Sequence, residues 1–301
     1  MGVDVGGTFT DVVAREPSGH LHACKVPTTP AHPAGGVLDG LRTLEPAAGR
    51  AAALAHGTTI VTNAIVEGRG ARVGLITTRG FRDVLEIARM SRTHLYDLQA
   101  PAKPEPVVPR RLRLEVAERI GADGAILAPL DPAGVPAILE AFAGEGVESV
   151  AVSLLHAYAN PVHERALAEA LARAFRHVSI SSAINAEFRE YERTSTTVLN
   201  AAVMPLATRY IEELVTALGG DIALHLLHSA GGMMSVEAAR AKPLAMAASG
   251  PAAGVAAAAH LARVLRIPRA LAFDMGGTTT DVCLVTDGIA ETSSRYGTSI
   301  S

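Results

Sequence analysis

The chain has 301 residues, which is enough for about two domains with a sizeable core. Its 27 basic and 30 acidic side chains give a net charge of −3 and are interspersed, which argues against a nucleic-acid-binding protein. The two cysteines form no disulfide framework and no metal-binding spacing, and no signal peptide or membrane-spanning run is visible. The composition therefore predicts a cytoplasmic protein that binds neither nucleic acid nor a membrane.

Apolar runs and turn residues predict a regular series of elements along the first part of the chain. Two strands joined by a glycine turn cover residues 2–14, and a third strand includes residues 22–26. The next elements are, in order, a helix after Pro33, a strand at 53–56, a helix at 63–67, a strand at 72–77 and a helix beginning at 81–88.

The segment around residues 90–130 differs from its surroundings. Residues 90–109 are loop-like and contain four prolines, whereas residues 111–120 alternate apolar and charged side chains, as a half-buried strand does. A turn at 122–124 then leads into a short strand at 125–127. We expect these strands to form a β-rich insertion on the sheet.

Strand and helix alternate from residue 132 onward, which predicts a mainly parallel α/β sheet. Pro205 should kink or divide the longest helix. The Ala-rich stretch 241–267 is predicted to be a loop followed by a buried helix. The other elements are a helix at 132–142, a strand at 149–155, a helix at 161–175, a strand at 178–180, a helix at 194–218, a strand at 221–228 and a second hairpin from about 271.

A nine-residue motif occurs twice. Residues 4–12 read DVGGTFTDV and residues 274–282 read DMGGTTTDV, so seven of the nine positions are identical. In each copy an aspartate ends a strand, and two glycines leave backbone N–H groups open to an anion. An ordinary hairpin would explain a single copy. Duplication with both aspartates retained instead predicts two half-sites that clamp a polyphosphate from two sides.

The candidate catalytic and phosphate-binding residues follow from this repeat. We predict that Asp4 and Asp274 bind Mg²⁺ through water beside the phosphates of a bound polyphosphate, because Mg²⁺ prefers one or two carboxylates together with phosphate oxygens. Asp11 and Asp281 are candidates for a supporting hydrogen-bond role or, in one copy, for a base; capping of the hairpin is the alternative. The predicted phosphate-binding residues are Gly6, Gly7, Thr8, Thr10, Gly276, Gly277, Thr278 and Thr279.

Other polar residues are candidates for substrate binding. A buried, satisfied histidine is the alternative for His56, and an ordinary helix N-cap is the alternative for Ser249. The charged residues of 189–193 are typical of a solvated helix start. The predicted substrate-binding residues are His56, Thr58, Thr59, Asn63, Ser249 and Gly250.

The repeat resembles the phosphate-binding loops of the superfamily of sugar kinases, actin and heat-shock chaperone ATPases. Five stretches together resemble the ATP-dependent hydantoinase/oxoprolinase family, specifically its A subunit; they are residues 56–64, 74–87, 188–201, 249–255 and 273–278. The resemblance implies an α/β, ribonuclease H-like lobe over 1–268 and the start of a second lobe over 269–301. Because the family's A subunits are normally much longer, it also implies an N-terminal fragment and puts independent ATP turnover in question.

The resemblance also implies an activity. ATP would phosphorylate the carbonyl oxygen of a cyclic amide, such as a hydantoin, 5-oxoproline or a related lactam, so that water can open the ring with the help of a B-type subunit or domain in an oligomer. A ketone carboxylase of the same family would use the site on a ketone enolate and bicarbonate. A non-catalytic, nucleotide-dependent regulatory protein is the alternative from another class.

Overall fold

The computed structural model describes residues 1–29, 32–49, 51–90, 96, 99, 104–220, 222–275 and 280–291. The strands are β1 (Gly2–Val5), β2 (Phe9–Arg15), β3 (Leu21–Pro27), β4 (Ala53–Thr58), β5 (Val73–Thr78), β6 (Arg113–Val116), β7 (Arg119–Ile120), β8 (Ile126–Ala128), β9 (Ser149–Ser153), β10 (Val178–Ile180), β11 (Ala223–Leu227), β12 (Met233–Met234), β13 (Arg269–Met275), β14 (Thr280–Thr286) and β15 (Ile289–Ala290). The helices are α1 (Pro33–Ala48), α2 (Ile60–Val66), α3 (Val84–Ile87), α4 (Val135–Gly144), α5 (Val162–Leu171), α6 (Ser181–Ile184), α7 (Glu190–Leu218), α8 (Val236–Ala241) and α9 (Ser249–Val264).

The contacts of the chain divide it into two compact units. Unit 1 lies within Met1–Asn63 and Arg209–Ser301, and unit 2 lies within Ala64–Thr208. The predicted lobe boundary at residue 268 falls inside unit 1, between α9 and β13, and stays a prediction.

Unit 1 is built on a six-stranded sheet with the strand order β12-β11-β4-β1-β2-β3. The first three strands form an antiparallel meander, and β4 and β11 continue the sheet in parallel with β1. Residues of β2 alternate between buried and exposed, as expected for a sheet with one covered face. This topology places the carboxyl end of β1 beside the carboxyl end of β4, in the middle of the sheet.

The second copy of the repeated motif forms a hairpin with the same register as the first. Asp4 pairs with Asp11 between β1 and β2, and Asp274 pairs with Asp281 between β13 and β14. The prediction of two hairpins is therefore confirmed. The two copies are alike in structure as well as in sequence, because each places its two aspartates directly opposite each other across the strands.

The helix before the second hairpin corrects one prediction. Of the 16 residues of α9, three are buried and seven are exposed; Ala259 and Ala262 are its buried apolar residues, and they pack against Val285 of β14. The opposite face of the hairpin is also open, with Leu271 and Phe273 both more than 60% exposed. The alanine-rich composition matched a buried helix, but apart from Ala259 and Ala262 its apolar side chains stay partly or fully exposed.

Unit 2 contains a four-stranded parallel sheet with the order β10-β9-β5-β6 and a small hairpin of β7 and β8. Every residue of β5 and β9 is buried, which matches their continuous apolar sequences. One prediction is wrong here: the segment 111–120 is not a single strand of an insertion. It is broken into a 3₁₀ turn and two short strands, and β6 belongs to the parallel sheet.

Two helices also differ from expectation. The helix predicted to begin at Phe81 is the single turn of α3, after which Ala88 adopts a left-handed conformation with φ 51°. Pro205 lies inside α7 without dividing it, so this helix runs through 29 residues. Within the described ranges, no helix combines the length and the apolar character needed to cross a membrane. The α/β class itself is confirmed.

Candidate functional site

Asp4 lies at the carboxyl end of β1, where two glycines leave room for its carboxylate. Gly57 of β4 is its partner in the parallel register. A methyl group at Gly57 would lie 2.8 Å from Oδ1 of Asp4, and one at Gly250 would lie 3.4 Å from the same oxygen. Gly57 is not among the predicted site residues. The available signal was a glycine inside a strand, which often marks the close approach of another group.

Asp4 is the centre of a group of acidic side chains. Its partial burial raises the pKa of Asp4, and the carboxylates of Asp11 and Asp274 raise that pKa further, although the residue as a whole stays accessible to solvent. Within the described residues, the Asp4 carboxylate accepts no hydrogen bond. Repulsion among carboxylates of this kind is relieved by a bound cation.

The glycine turn after β1 is open to solvent. The Gly6 N–H donates to the Phe9 carbonyl at 3.0 Å, and a methyl group at Gly6 would crowd that oxygen at 3.1 Å. No atom lies within 4 Å of the place where Gly7 would carry a methyl group, and Gly7 and Thr8 are both exposed. As far as the described residues show, the turn therefore leaves the N–H groups of Gly7 and Thr8 and the Thr8 hydroxyl available to a ligand.

Thr10 does not share this exposure. Its side chain is fully buried, and its hydroxyl lies 3.0 Å from the hydroxyl of Thr28. This corrects the prediction of a phosphate-binding side chain, because β2 alternates and position 10 points into the core. The corresponding second turn, with Gly276, Gly277, Thr278 and Thr279, lies outside the described residues.

Asp11 is bound by a lysine that is not among the predicted site residues. Nζ of Lys25, on β3, lies 2.9 Å from Oδ1 and 3.0 Å from Oδ2 of Asp11. The same ammonium lies 5.2 Å from the ring centroid of Phe9. Because both carboxylate oxygens are engaged, the arrangement fits a supporting role for Asp11 better than that of a base.

His56 is a buried histidine of the fold. Its Nε2 lies 2.7 Å from the hydroxyl of Tyr210, and burial lowers the pKa of His56 to about 4, so the ring is neutral at neutral pH. Successive residues of a strand face opposite sides. Because Gly57 faces Asp4, His56 faces away from it, and the alternative interpretation of a buried core histidine fits the structure, although only Nε2 has a hydrogen-bond partner within the described residues.

The predicted substrate-binding threonines are used at the junction of β4 and α2. The Thr58 hydroxyl accepts from the Ile60 N–H at 3.3 Å. Thr59 donates to the Val5 carbonyl at 3.2 Å and accepts from Nδ2 of Asn63 at 3.3 Å. These bonds connect the ends of β1 and β4 to α2. Their evident effect is to fix the strand ends that carry Asp4 and Gly57.

Ser249 connects the start of α9 to the same junction. Its hydroxyl donates to the Thr58 carbonyl at 3.3 Å and lies 3.4 Å from the Thr58 nitrogen. The N-cap position belongs to Ala248 instead, whose N–H donates to the hydroxyl of Thr62 at 2.8 Å. The N-cap interpretation of Ser249 is therefore wrong. Both contacts hold Gly250 against Asp4.

Unit 2 holds the charged residues of 189–193, and one of them corrects a prediction. Arg193 is 1% exposed, so it does not belong to a solvated helix start. Its guanidinium donates to the hydroxyl of Ser181 and to the carbonyls of Leu154 and Glu187 at 2.8–3.1 Å. Arg189, in contrast, is exposed.

The gap around Asp4 gives a testable prediction. Gly57→Ala places a methyl group 2.8 Å from Asp4 Oδ1 and 3.1 Å from Leu227 Cδ1, two side-chain ends that can move aside. We expect the thermal unfolding midpoint to change little and ATP turnover to fall, since the carboxylate is displaced. Gly2→Ala on β1, with no atom within 4 Å of the added methyl, is the matched control. Equal turnover in the two variants would contradict a functional position of Asp4.

Two family models match the chain. The model of the hydantoinase/oxoprolinase N-terminal region matches residues 1–175, and the hydantoinase/oxoprolinase model matches residues 193–299. Caprolactamase subunit alpha of Pseudomonas jessenii is 34% identical over 303 residues, which cover 96% of this chain and 43% of that protein. 5-Oxoprolinase 1 of Arabidopsis thaliana is 31% identical over 320 residues, covering 93% of this chain and 25% of the relative.

Solved structures agree with this match. Acetone carboxylase, in a nucleotide-free structure from work on ATP-dependent acetone carboxylation, superposes with a TM-score of 0.82 at 27% identity, covering 95% of this chain and 44% of that one. The ATP-dependent caprolactamase from Pseudomonas jessenii gives 0.81 at 34% identity, covering 94% and 43%. The predicted actin-like ATPase fold is confirmed. The chain spans less than half the length of these relatives, and it belongs to the hydantoinase/oxoprolinase family.

Proposed function

We propose that unit 1 carries the ATP-binding site of an enzyme that phosphorylates the carbonyl oxygen of a cyclic amide. One observation carries this proposal: Asp4 lies in a glycine-lined gap beside an open glycine turn, and the same hairpin recurs with the same pairing of aspartates. Backbone N–H groups of such a turn suit phosphate oxygens, and the start of α9 adds further N–H groups near Asp4.

Mg²⁺ fits the residues around Asp4. The carboxylate is accessible, accepts no hydrogen bond within the described residues, and lies near a second carboxylate, Asp274. Mg²⁺ is commonly bound by one or two carboxylates, with water and phosphate oxygens completing its ligands. Asp4 and Asp274 would hold the ion through water. Bound Mg²⁺ would neutralise charge on the phosphates during transfer.

The proposed reaction explains the need for ATP. Amide resonance makes the ring carbonyl a poor electrophile. Transfer of the γ-phosphoryl group breaks its bond to the ADP oxygen and forms a bond to the carbonyl oxygen. Water then adds to the ring carbon, and the C–N bond breaks with a proton moving to nitrogen, which opens the ring and leaves an acyl phosphate. A second water hydrolyses the acyl phosphate to the carboxylate and inorganic phosphate. The open turn of Gly6, Gly7 and Thr8 would bind and orient the phosphates for the first step.

A ketone carboxylase is the second candidate. It is favoured by the superposition on acetone carboxylase, which is as close as that on caprolactamase. The residues described around Asp4 serve nucleotide and metal, so they do not discriminate between a cyclic amide and a ketone. For either activity we propose a cytoplasmic, multisubunit enzyme with a B-type partner, which is supported by the naming of the caprolactamase relative as a subunit alpha.

Phosphate release by the intact protein with a B-type partner tests the proposal. The panel contains hydantoins, 5-oxoproline, larger lactams, and ketones with bicarbonate. We expect one cyclic amide to stimulate phosphate release and to be ring-opened in equal amount. Stimulation by a ketone alone would make the enzyme a carboxylase, and ATP binding without stimulation by any compound would favour a regulatory protein.

A further inference from the structure

Lys25 brings a positive charge to the level of the open glycine turn. Asp4 is directly opposite Asp11 in the β1–β2 pair, and Asp11 is directly opposite Lys25 in the β2–β3 pair. Directly opposite residues of antiparallel strands project to the same face of the sheet. The three side chains therefore form one row, which begins at the Asp4 carboxylate and ends at the Lys25 ammonium.

The ammonium is held in place on two sides. Asp11 binds it with both oxygens, at 2.9 and 3.0 Å, and the Phe9 ring lies below it at 5.2 Å. Phe9 also closes the turn, since its carbonyl accepts from the Gly6 N–H. The Lys25 side chain remains 56% exposed. An ammonium carries three donors, so Asp11 leaves donor capacity for a ligand.

The carboxylates near the turn make a positively charged side chain necessary for binding a polyphosphate. Asp4, Asp11 and Asp274 would together repel a polyphosphate. The three strands β1, β2 and β3 contain one arginine, Arg15, and one lysine, Lys25. Arg15 lies four residues beyond Asp11 on β2, about 13 Å along the strand, and is directly opposite Leu21 at the far end of the hairpin.

We propose that Lys25 is a phosphate-binding residue, whose ammonium contacts a phosphate oxygen of ATP and is positioned by Asp11 and Phe9. This inference rests on the proposed ATP-binding function. A purely structural ion pair is the competing explanation. Exposed pairs contribute little to stability, so the structural explanation predicts no change in nucleotide affinity when Lys25 is replaced.

Calorimetric titration of the intact protein with Mg–ATP, Mg–ADP and adenosine separates these explanations. We expect Lys25→Met to weaken Mg–ATP binding by about 10- to 100-fold, as for loss of a hydrogen bond to a charged group. Adenosine binding and the thermal unfolding midpoint should not change. Arg15→Met, which removes one positive charge from the same hairpin, should bind Mg–ATP as the wild type does. Lys25→Arg keeps the charge and should retain more affinity than Lys25→Met.

The outcomes distinguish this inference from the proposed function. If the wild type binds Mg–ATP and Lys25→Met binds it as tightly as Arg15→Met, the role of Lys25 is overturned and the proposed function stands. An equal loss of affinity for adenosine would also overturn it, because the effect would not depend on phosphate. A wild-type protein that binds no ATP would overturn both.

Discussion

Asp4→Asn is expected to reduce substrate-dependent ATP turnover by about 10²- to 10³-fold, the usual loss when one preorganised charged or polar group is removed from an active site. The amide has nearly the same shape as the carboxylate, so it should fit the gap beside Gly57 and Gly250. It lacks the negative charge that a hydrated Mg²⁺ requires. Phosphate release under saturating ATP and substrate measures the effect.

Because the motif is repeated, a loss of ATP turnover is also expected when Asp274 is replaced. Asp274 occupies in β13 the position that Asp4 occupies in β1, and its charge acts on Asp4. Asp274→Asn should therefore lose turnover with the fold retained. Asp39→Asn, on the exposed face of α1, is the control that removes a carboxylate outside the repeated motif. Wild-type turnover by Asp274→Asn would remove this residue from the site.

Arg193→Met is expected to destabilise unit 2 by about 3–5 kcal/mol, the typical result of removing one partner from a buried ionic group. Burial lowers the pKa of Arg193, and the nearby carboxylates of Glu190 and Glu164 oppose that shift. Glu164 is fully buried and accepts from Ser181, Ser182 and the Leu154 N–H. Without Arg193, that buried carboxylate loses its positive neighbour, and two backbone carbonyls lose their donor.

Urea unfolding monitored by circular dichroism measures this loss. Arg165→Met is the matched control, because Arg165 lies on the exposed face of α5 beside the buried Glu164. Its replacement should change the free energy of unfolding by no more than about 0.5 kcal/mol. Equal unfolding midpoints for the two variants would show that the network around Arg193 does not stabilise unit 2.

Local sequence patterns predicted much of this fold. The repeated motif gave both hairpins, and continuous apolar runs gave β5 and β9, because a strand buried on both faces needs no alternation. The patterns failed where pairing partners are distant in sequence. Residues 111–120 alternate as an isolated half-buried strand does, yet β6 pairs with β5 in the parallel sheet. No local pattern specifies that pairing.

Among the site residues, too, those set by local sequence could be predicted and those set by strand pairing could not. Asp4 and the open turn could be predicted, since the residues that form them are consecutive in the sequence. Gly57 and Lys25 reach the site through the register of β4 with β1 and of β3 with β2, which sequence spacing does not provide. The predictions of an accessible Thr10 and a solvated Arg193 were wrong for a related reason. A polar side chain can be buried when the fold supplies partners for it, and those partners come from other elements.

Calorimetric titration of ATP into wild-type protein and Asp4→Asn, with Mg²⁺ and then with a chelator, tests the central claim most directly. If Asp4 helps to bind Mg–ATP, removal of Mg²⁺ will weaken ATP binding to the wild type, and Asp4→Asn will have lost most of that dependence. The same dependence on Mg²⁺ in both proteins would contradict the assignment of the glycine-lined gap as the metal–nucleotide site.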